Sequence, residues 1–178
     1  MIFSLRDPSD CAILSRAIKD KTVGITSGTY DLFHYLHLVY LEKCRRLCDL
    51  LIVGVDSDRL VKETKGEARP IIPETQRLMM LHAIRYVDAV FVMDSTDDFL
   101  AAVKLFATII FKNDSFKPEE VIGREQARVV IVPDIHMPDS TTAIVEECIR
   151  RKTHGYGPLT DEMDAAALQN RMGALLRS

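Results

Sequence analysis

Two histidines three residues apart follow the first strongly apolar segment of the chain. Residues 26–37 read TSGTYDLFHYLH, and Gly28 lets the chain turn tightly and exposes the amides of Thr29 and Tyr30. Amides at a helix N-terminus attract phosphate. If a helix begins near residue 33, His34 and His37 lie on one face at its positive end, which disfavours protonated imidazole. The segment therefore predicts two neutral donors to phosphate oxygens.

Two other interpretations of the histidines remain open at this point. A single histidine near a helix start is more often a surface or packing residue. A His-x-x-His pair is also able to ligate a metal, but the sequence offers no third ligand at a suitable spacing. We therefore expect no metal to be held by protein side chains.

Four of the cations that follow the second apolar segment are candidates for binding phosphate: Lys62, Lys65, Arg69 and Arg77. Each alone is more often a solvated surface charge. Clustered at the carboxyl edge of a parallel sheet, they suit a clamp for polyphosphate or for a second phosphorylated substrate. The hydroxyls of residues 140–142 (Ser140, Thr141, Thr142) follow the last apolar segment and suit either an ordinary N-cap or a phosphate site.

Five short apolar, β-branched segments would position these groups. They are predicted as strands buried on both faces, as in a parallel sheet, and cover residues 22–28, 50–56, 89–94, 108–113 and 128–134. Helical patterns lie between them, at residues 35–47, 73–84, 96–106, 118–122 and 140–151. Alternating strands and helices predict an α/β, Rossmann-like doubly wound parallel sheet of about five strands, whose ligands bind beyond the carboxyl ends of the strands. Residues 56–70 are interpreted as the connection that carries Lys62, Lys65 and Arg69, with Arg77 following on the next helix.

The two ends of the chain flank this unit. Residues 1–21 are interpreted as an N-terminal helical lead-in, 22–152 as the main domain, and 153–178 as a linker and terminal helix with Thr160 as N-cap. That C-terminal helical extension has an apolar stripe over 163–176. The stripe needs a partner surface, which its own domain or a second copy in a homodimer would supply.

Composition narrows the class of protein. The chain has 178 residues, 47% hydrophobic and 28% charged, which is ordinary for a soluble globular domain. Its net charge of −3 gives no basic field for nucleic acid or an anionic membrane, and no apolar run is long enough to span a bilayer. The first ten residues, MIFSLRDPSD, do not resemble a secretory signal, and four cysteines are too few for a disulfide scaffold. We therefore expect a cytoplasmic protein that binds neither nucleic acid nor membrane.

Three ordered motifs together carry a family resemblance. They are Thr29-Tyr30-Asp31-x-x-His34-x-x-His37, the stretch from Lys65-Gly66 through Arg69-Pro70 to Gln76-Arg77, and Ser140-Thr141-Thr142. Over about 22–150 the chain resembles the cytidylyltransferase-like nucleotidyltransferases. Within them it is most similar to the heptose-1-phosphate adenylyltransferase domain, through stretches such as LLIVGVDSD and KGEARPIIPETQR.

The resemblance implies a reaction. A nucleoside triphosphate and a phosphorylated acceptor, such as a sugar phosphate, would give a nucleotide-linked product and pyrophosphate, with Mg²⁺ accompanying the nucleotide. His34, His37 and Lys65 would be catalytic. Nucleotide-binding residues would be Gly28, Thr29, Tyr30, Arg77, Ser140, Thr141 and Thr142. Acceptor-binding residues would be Asp31, Lys62, Arg69, Lys112 and Asn113.

Departures from the family pattern leave alternatives. Residues 135–139 lack the arginine that cytidylyltransferases carry before their Ser-Thr-Thr, which favours ATP over CTP. A cytidylyltransferase acting on glycerol-3-phosphate or an alcohol-amine phosphate is the alternative. Leu36 stands where the family has glycine, so a catalytically impaired nucleotide-binding protein is the alternative of another class.

Overall fold

A parallel five-stranded sheet forms the framework of residues 1–133. The structure, a computed structural model, describes residues 1–133 and 141–154; of residues 141–143 and 154 it describes the backbone only. The strands are β1 (Val23–Gly28), β2 (Leu50–Asp56), β3 (Ala89–Met93), β4 (Ile109–Asn113) and β5 (Arg128–Val132). All neighbours are parallel, in the order β3-β2-β1-β4-β5. The predicted strands and the sheet are confirmed.

Helices cover both faces of the sheet. The helices of this part of the chain are α1 (Pro8–Ala17), α2 (Tyr35–Arg45), α3 (Asp58–Lys65), α4 (Glu74–His82), α5 (Thr96–Phe106) and a short 3₁₀ turn at Pro118–Glu120. One core includes Leu14 of α1 and Phe99 of α5, and the other includes Leu41 of α2 and Leu81 of α4. A β-branched sheet buried on both faces needs such helical layers, so the doubly wound α/β class is confirmed.

The order of the strands places a crevice. β1 lies at the centre with β2 on one side and β4 on the other. The chain adds β2 and β3 on one side of β1 and then β4 and β5 on the other, so the point at which the strand order reverses lies between β1 and β4 in the sheet. Ligands of open α/β sheets bind outside the carboxyl ends of the strands at this position. Gly28, Asp56 and Asn113 end β1, β2 and β4, respectively.

The interpretation of 56–70 as a connection was wrong over half of its length. Residues 58–65 form α3, whose N-cap Ser57 accepts a hydrogen bond at its hydroxyl from the Leu60 N–H, at 3.2 Å. Val61 is the buried residue of this helix, and Arg59 pairs with Glu63 one turn on. Leu60 and Val61 are the two apolar residues of this eight-residue helix, so they cannot form the apolar repeat at positions i, i+3, i+4 and i+7 by which a helix is recognised in a sequence.

The chain divides into two compact units, Met1–Thr141 and Thr142–Ser178. Helix α6 covers Thr141–His154, where the sequence predicts a helix over 140–151. The predicted terminal helix from Thr160 and its apolar stripe lie outside the described residues. In the described ranges, 1–133 and 141–154, no helix combines the length and apolar character that crossing a membrane requires.

Candidate active site

The turn after β1 is held in an uncommon backbone conformation. Tyr30 has φ 52° and Leu32 has φ 49°, both in the left-handed region that side chains other than glycine rarely adopt. Tyr30 is buried, and a Cβ at Gly28 would lie 3.3 Å from its ring. The Thr29 hydroxyl donates to Asp56 Oδ2 at 2.9 Å, which joins the end of β1 to the end of β2. Strain of this kind persists only where surrounding contacts fix it, and it concentrates at functional sites.

The two predicted catalytic histidines lie together at the start of α2. The helix begins at Tyr35, as the helical pattern over 35–47 predicts, and His34 is its N-cap with extended backbone. The His34 N–H donates to His37 Nδ1 at 3.3 Å, and the two ring centroids are 4.0 Å apart. We call His34 and His37 the histidine pair. His37 occupies the first turn, so its ring is beside the positive end of the helix.

Burial and neighbouring positive charge keep His37 neutral. Its pKa is lowered to about 4, first by burial and then by the charges of His34 and Lys65. The ring stacks on Phe33 with centroids 5.4 Å apart and lies 5.5 Å from the Tyr30 ring. Because Nδ1 accepts the His34 N–H, the proton of the neutral ring is on Nε2. His37 is therefore neutral at physiological pH, and its role as a donor to phosphate oxygens stays a prediction.

Asp31 anchors the segment that leads into α4. Its carboxylate accepts hydrogen bonds from Arg69 Nε at 2.6 Å and from the N–H groups of Ile71 and Ile72, each at 2.9 Å. Burial acts to raise the pKa of Asp31, but these donors outweigh it and the pKa falls below its ordinary value. The side chains expected to bind an acceptor, Asp31 and Arg69, are thus bonded to each other. Their expected contacts with an acceptor stay a prediction.

Arg77 is the largest fully buried side chain in the part of the chain that the structure describes, and only 1% of it is exposed. Its guanidinium donates to Thr29 O at 2.6 Å, to Ile72 O at 2.8 Å and to Asp58 Oδ1 at 2.8 Å. The Asp58 N–H donates to Glu74 Oε2 at 2.7 Å, and the Glu74 N–H donates to Asp58 Oδ1 at 2.8 Å. Arg77 therefore connects the turn after β1 with the starts of α3 and α4.

We call Asp31, Asp58, Arg69 and Arg77 the tying network, because each holds one segment of the site to another. Two cations of the predicted clamp belong to it. The other two, Lys62 and Lys65, are exposed on the last turns of α3, and Lys65 is close enough to His37 to lower its pKa. The four cations thus differ in their partners. The two arginines bind acceptors of the protein itself, whereas the two lysines are exposed to solvent.

Lys112, near the end of β4, lies at the wall of a cavity of about 420 Å³. Its Nζ donates to Ser27 Oγ at 2.9 Å and lies over the rings of Phe99 and Phe116. Asn113 follows it, and its amide donates to Ser115 Oγ at 3.3 Å. Ser27 and Asp56 line the same cavity, so Lys112 belongs to the same end of the sheet as the turn after β1.

The structure does not describe every predicted site residue, and the sequence analysis missed others. Ser140 and the side chains of Thr141 and Thr142 lie outside the described part of the structure, so their predicted phosphate contacts are not placed. Sequence reasoning missed Ser27, Asp56, Asp58, Phe99 and Phe116. Asp56 did carry a signal, since it ends a predicted strand at the expected edge. In the described ranges, no group of three or more His, Cys, Asp or Glu side chains could hold a metal ion.

Sequence comparisons identify relatives of this chain. A family model described as cytidylyltransferase-like matches residues 25–153. The chain is 38% identical over 134 residues to the bifunctional protein HldE of Campylobacter jejuni subsp. doylei, covering 75% of this chain and 29% of that protein. It is 34% identical over 144 residues to the HldE of Nitratiruptor sp., covering 80% of this chain and 31% of that protein. The chain thus spans less than a third of the length of these curated relatives.

Solved structures share the fold. A lipopolysaccharide core biosynthesis protein from Thermoplasma volcanium is similar with a TM-score of 0.54 and 23% identity, over 65% of this chain and 97% of that one. A pantoate-beta-alanine ligase from Francisella tularensis, in complex with beta-gamma ATP and beta-alanine, is similar with a TM-score of 0.52 and 12% identity, over 72% and 65%. The match to the family model covers most of the chain and includes both histidines, so this protein belongs to the cytidylyltransferase-like nucleotidyltransferase family.

Proposed function

We propose that the protein transfers a nucleoside monophosphate, with ATP as the favoured donor, to a sugar phosphate or a similar phosphorylated acceptor. The observation that carries the proposal is the histidine pair at the start of α2, where His37 is held neutral with its proton on Nε2. A neutral donor fixed at the positive end of a helix suits phosphate oxygens that gain charge during transfer. ATP is favoured over CTP because residues 135–139 contain no arginine.

In this reaction an oxygen of the acceptor phosphate attacks the α-phosphorus of the nucleotide. The new P–O bond forms as the bond from the α-phosphorus to the bridging oxygen breaks, and pyrophosphate leaves with that electron pair. His37 donates from Nε2 to an oxygen whose negative charge grows, and His34 adds a second imidazole 4.0 Å away, measured between ring centroids. The protein thus contributes positioning and charge stabilisation, and it forms no covalent intermediate.

Lys62 and Lys65 would hold the acceptor phosphate or the leaving pyrophosphate from the last turns of α3. The amides of Thr29 and Tyr30 would bind the nucleotide phosphates, in a turn that Arg77 and Asp56 hold in shape. Ser140, Thr141 and Thr142 would bind the β- and γ-phosphates. Mg²⁺ would bind mainly phosphate oxygens and water, and would offset the charge of the triphosphate.

The test is a matrix of the four nucleoside triphosphates against phosphorylated acceptors, with pyrophosphate release as the readout. The acceptors include an aldose 1-phosphate, glycerol 3-phosphate, ethanolamine phosphate and flavin mononucleotide. We expect release with ATP and an aldose 1-phosphate, and loss of release when Mg²⁺ is chelated. Release with CTP and glycerol 3-phosphate or ethanolamine phosphate alone would replace our proposal with the cytidylyltransferase alternative.

A nucleotide-binding protein without transferase activity would give a different result in these assays. Leu36 is half-buried in the first turn of α2, next to the histidine pair. Thermal stabilisation by a nucleotide without pyrophosphate release would favour this alternative, because binding to the folded state raises stability by mass action. Release restored by Leu36→Gly would then identify the side chain responsible. A panel of nucleotides that neither stabilises the protein nor reacts would contradict both functions.

A further inference from the structure

A cavity of about 420 Å³ opens beside the turn after β1. Ser27 of β1, Asp56 of β2 and Lys112 of β4 line it, together with Phe99 of α5 and Phe116. This volume is within the range of small-molecule sites, which combine apolar walls with a few fixed polar groups. The cavity is therefore suited to a small ligand that has both an apolar face and hydrogen-bonding groups.

Lys112 is fixed at the wall of this cavity by three contacts. Its Nζ donates to Ser27 Oγ at 2.9 Å, and it lies 4.9 Å from the centroid of the Phe99 ring and 5.1 Å from that of Phe116. The faces of the two rings attract the ammonium group, and the hydroxyl orients it. Burial lowers the pKa of Lys112, and the negative charge of Asp56 opposes that shift and favours the charged form.

Each of the two carboxylates that line the cavity already interacts with another group of the protein. Asp56 accepts the Thr29 hydroxyl at 2.9 Å and interacts electrostatically with Lys112. Glu120 lies 3.8 Å from the Lys117 ammonium. Neither carboxylate is therefore an isolated negative charge that a cationic ligand would neutralise. A ligand hydroxyl, in contrast, is able to donate to Asp56 and to accept from Lys112 at the same time.

The cavity adjoins the turn that would hold the nucleotide phosphates. Asp56 lines the cavity and accepts the Thr29 hydroxyl, and Ser27 is two residues before Thr29 in the chain. A ligand bound there would lie next to the reacting phosphates. Resting on the proposed function, we propose that this cavity binds the acceptor and that Lys112 makes it selective for neutral, hydroxyl-bearing acceptors over acceptors that carry an amine.

The physical basis is repulsion between like charges in a partly dry space. An ammonium group on the acceptor would enter beside the Lys112 ammonium, where the effective dielectric constant is lower than in water. The rings of Phe99 and Phe116 would contact the apolar C–H face of the acceptor and exclude water. Phe116 is 44% exposed, which places it where a ligand could cover it.

The test compares two matched ligands, glucose 1-phosphate and glucosamine 1-phosphate, which differ in one hydroxyl replaced by an amine. Isothermal titration in the presence of Mg²⁺ and a non-hydrolysable ATP analogue gives the Kd of each. For the wild-type protein we expect the neutral ligand to bind about tenfold more tightly or better, and for Lys112→Met we expect the ratio to fall to about threefold or less. Lys104→Met is the matched control, because Lys104 is exposed on α5 and does not line the cavity.

Phe116→Ala is the second variant. Because the Phe116 side chain is 44% exposed, we expect the substitution to leave the fold intact, which circular dichroism checks. We expect it to weaken glucose 1-phosphate binding about fivefold without changing the ratio between the two ligands. An unchanged ratio in Lys112→Met, or tighter binding of the amino sugar by the wild type, would overturn the inference. Failure of both ligands to bind would overturn it as well.

The titration separates this inference from the proposed function, because it does not need turnover. Discrimination that is lost in Lys112→Met, found together with no pyrophosphate release from any pair of substrates, would support the pocket and reject the transfer reaction. Pyrophosphate release with an acceptor whose KM is unchanged in both Lys112→Met and Phe116→Ala would support the reaction and reject the pocket.

Discussion

The histidine pair and the tying network stand at the same end of the sheet but use their polar groups in opposite ways. His37 makes one backbone hydrogen bond through Nδ1, which leaves its protonated Nε2 as the atom that would meet a substrate. Arg77 directs three donors at protein acceptors and is 1% exposed. The comparison indicates that charge at a strand end does not by itself identify a substrate contact; what matters is which partner each polar atom already has.

The largest expected effect separates the two regions by activity. In His37→Ala the Nε2 donor is lost, and we expect kcat to fall about 10²- to 10³-fold, the range for removing one fixed donor to a developing charge. The free energy of unfolding should change by less than about 1 kcal/mol, because unfavourable burial of the imidazole offsets its ring contacts. Steady-state pyrophosphate release and urea denaturation measure the two quantities.

His37→Gln is the matched control for that experiment, because its amide is a neutral donor of similar reach. It should retain more activity than His37→Ala. Equal activity of the wild type and His37→Ala would contradict the catalytic assignment.

Arg77→Met tests the opposite region, and its expected effect is on stability. Removing the guanidinium leaves the carbonyls of Thr29 and Ile72 without this donor and removes the ion pair of the Asp58 carboxylate, which keeps the Glu74 N–H, so the free energy of unfolding should fall by about 3 kcal/mol. Chemical denaturation measures the change. Arg85→Met is the control, since Arg85 is exposed and lies outside the network. A stable Arg77→Met protein with a raised KM for the nucleotide alone would instead make Arg77 a direct nucleotide contact.

Asp31→Asn is expected to have a smaller effect of the same kind. The amide has one acceptor oxygen in place of the two that meet Arg69, Ile71 and Ile72, so we expect a loss of about 2 kcal/mol. The loss should be present at neutral pH and should shrink as the pH falls through the lowered pKa of Asp31, because the wild-type carboxylate is then also protonated. Thermal or urea unfolding at pH 7 and pH 3 tests both statements. A difference between the two proteins that does not depend on pH would be inconsistent with them.

The smallest expected effect is a pH dependence from His37. Its pKa is about 4 in the folded protein and 6.5 as an unperturbed histidine, so between these values the unfolded chain binds a proton that the folded chain does not. The free energy of unfolding therefore falls as the pH is lowered through this window, by about 1 kcal/mol from this residue at pH 5.5. His37→Gln should flatten that part of the stability profile, which urea denaturation across this pH window measures.

Much of the fold could be predicted because its signals are local. Each strand is a short β-branched segment, and the order of strands and helices leaves few topologies for a parallel sheet. The helix at 58–65 was missed because a cap, an ion pair and one buried valine stabilise it, and none of these produces an apolar period. The helical pattern over 35–47 predicts the start of α2 at Tyr35, but the extended backbone of the N-cap His34 is not revealed by its residue type.

The amino-acid sequence alone determined the class of fold, the edge of the sheet at which chemistry is expected, and the family, because apolar periodicity and ordered motifs are properties of the chain itself. Tertiary structure decided how individual charges are used. Arg77 donates to Thr29 and Asp58, which are 48 and 19 residues before it in the chain. Lys112 contacts Ser27 of β1 and Phe99 of α5 as well as the neighbouring Phe116. The hydrogen-bond partners and burial of a polar atom depend on segments that meet only in the folded state, so residue type and spacing do not fix them.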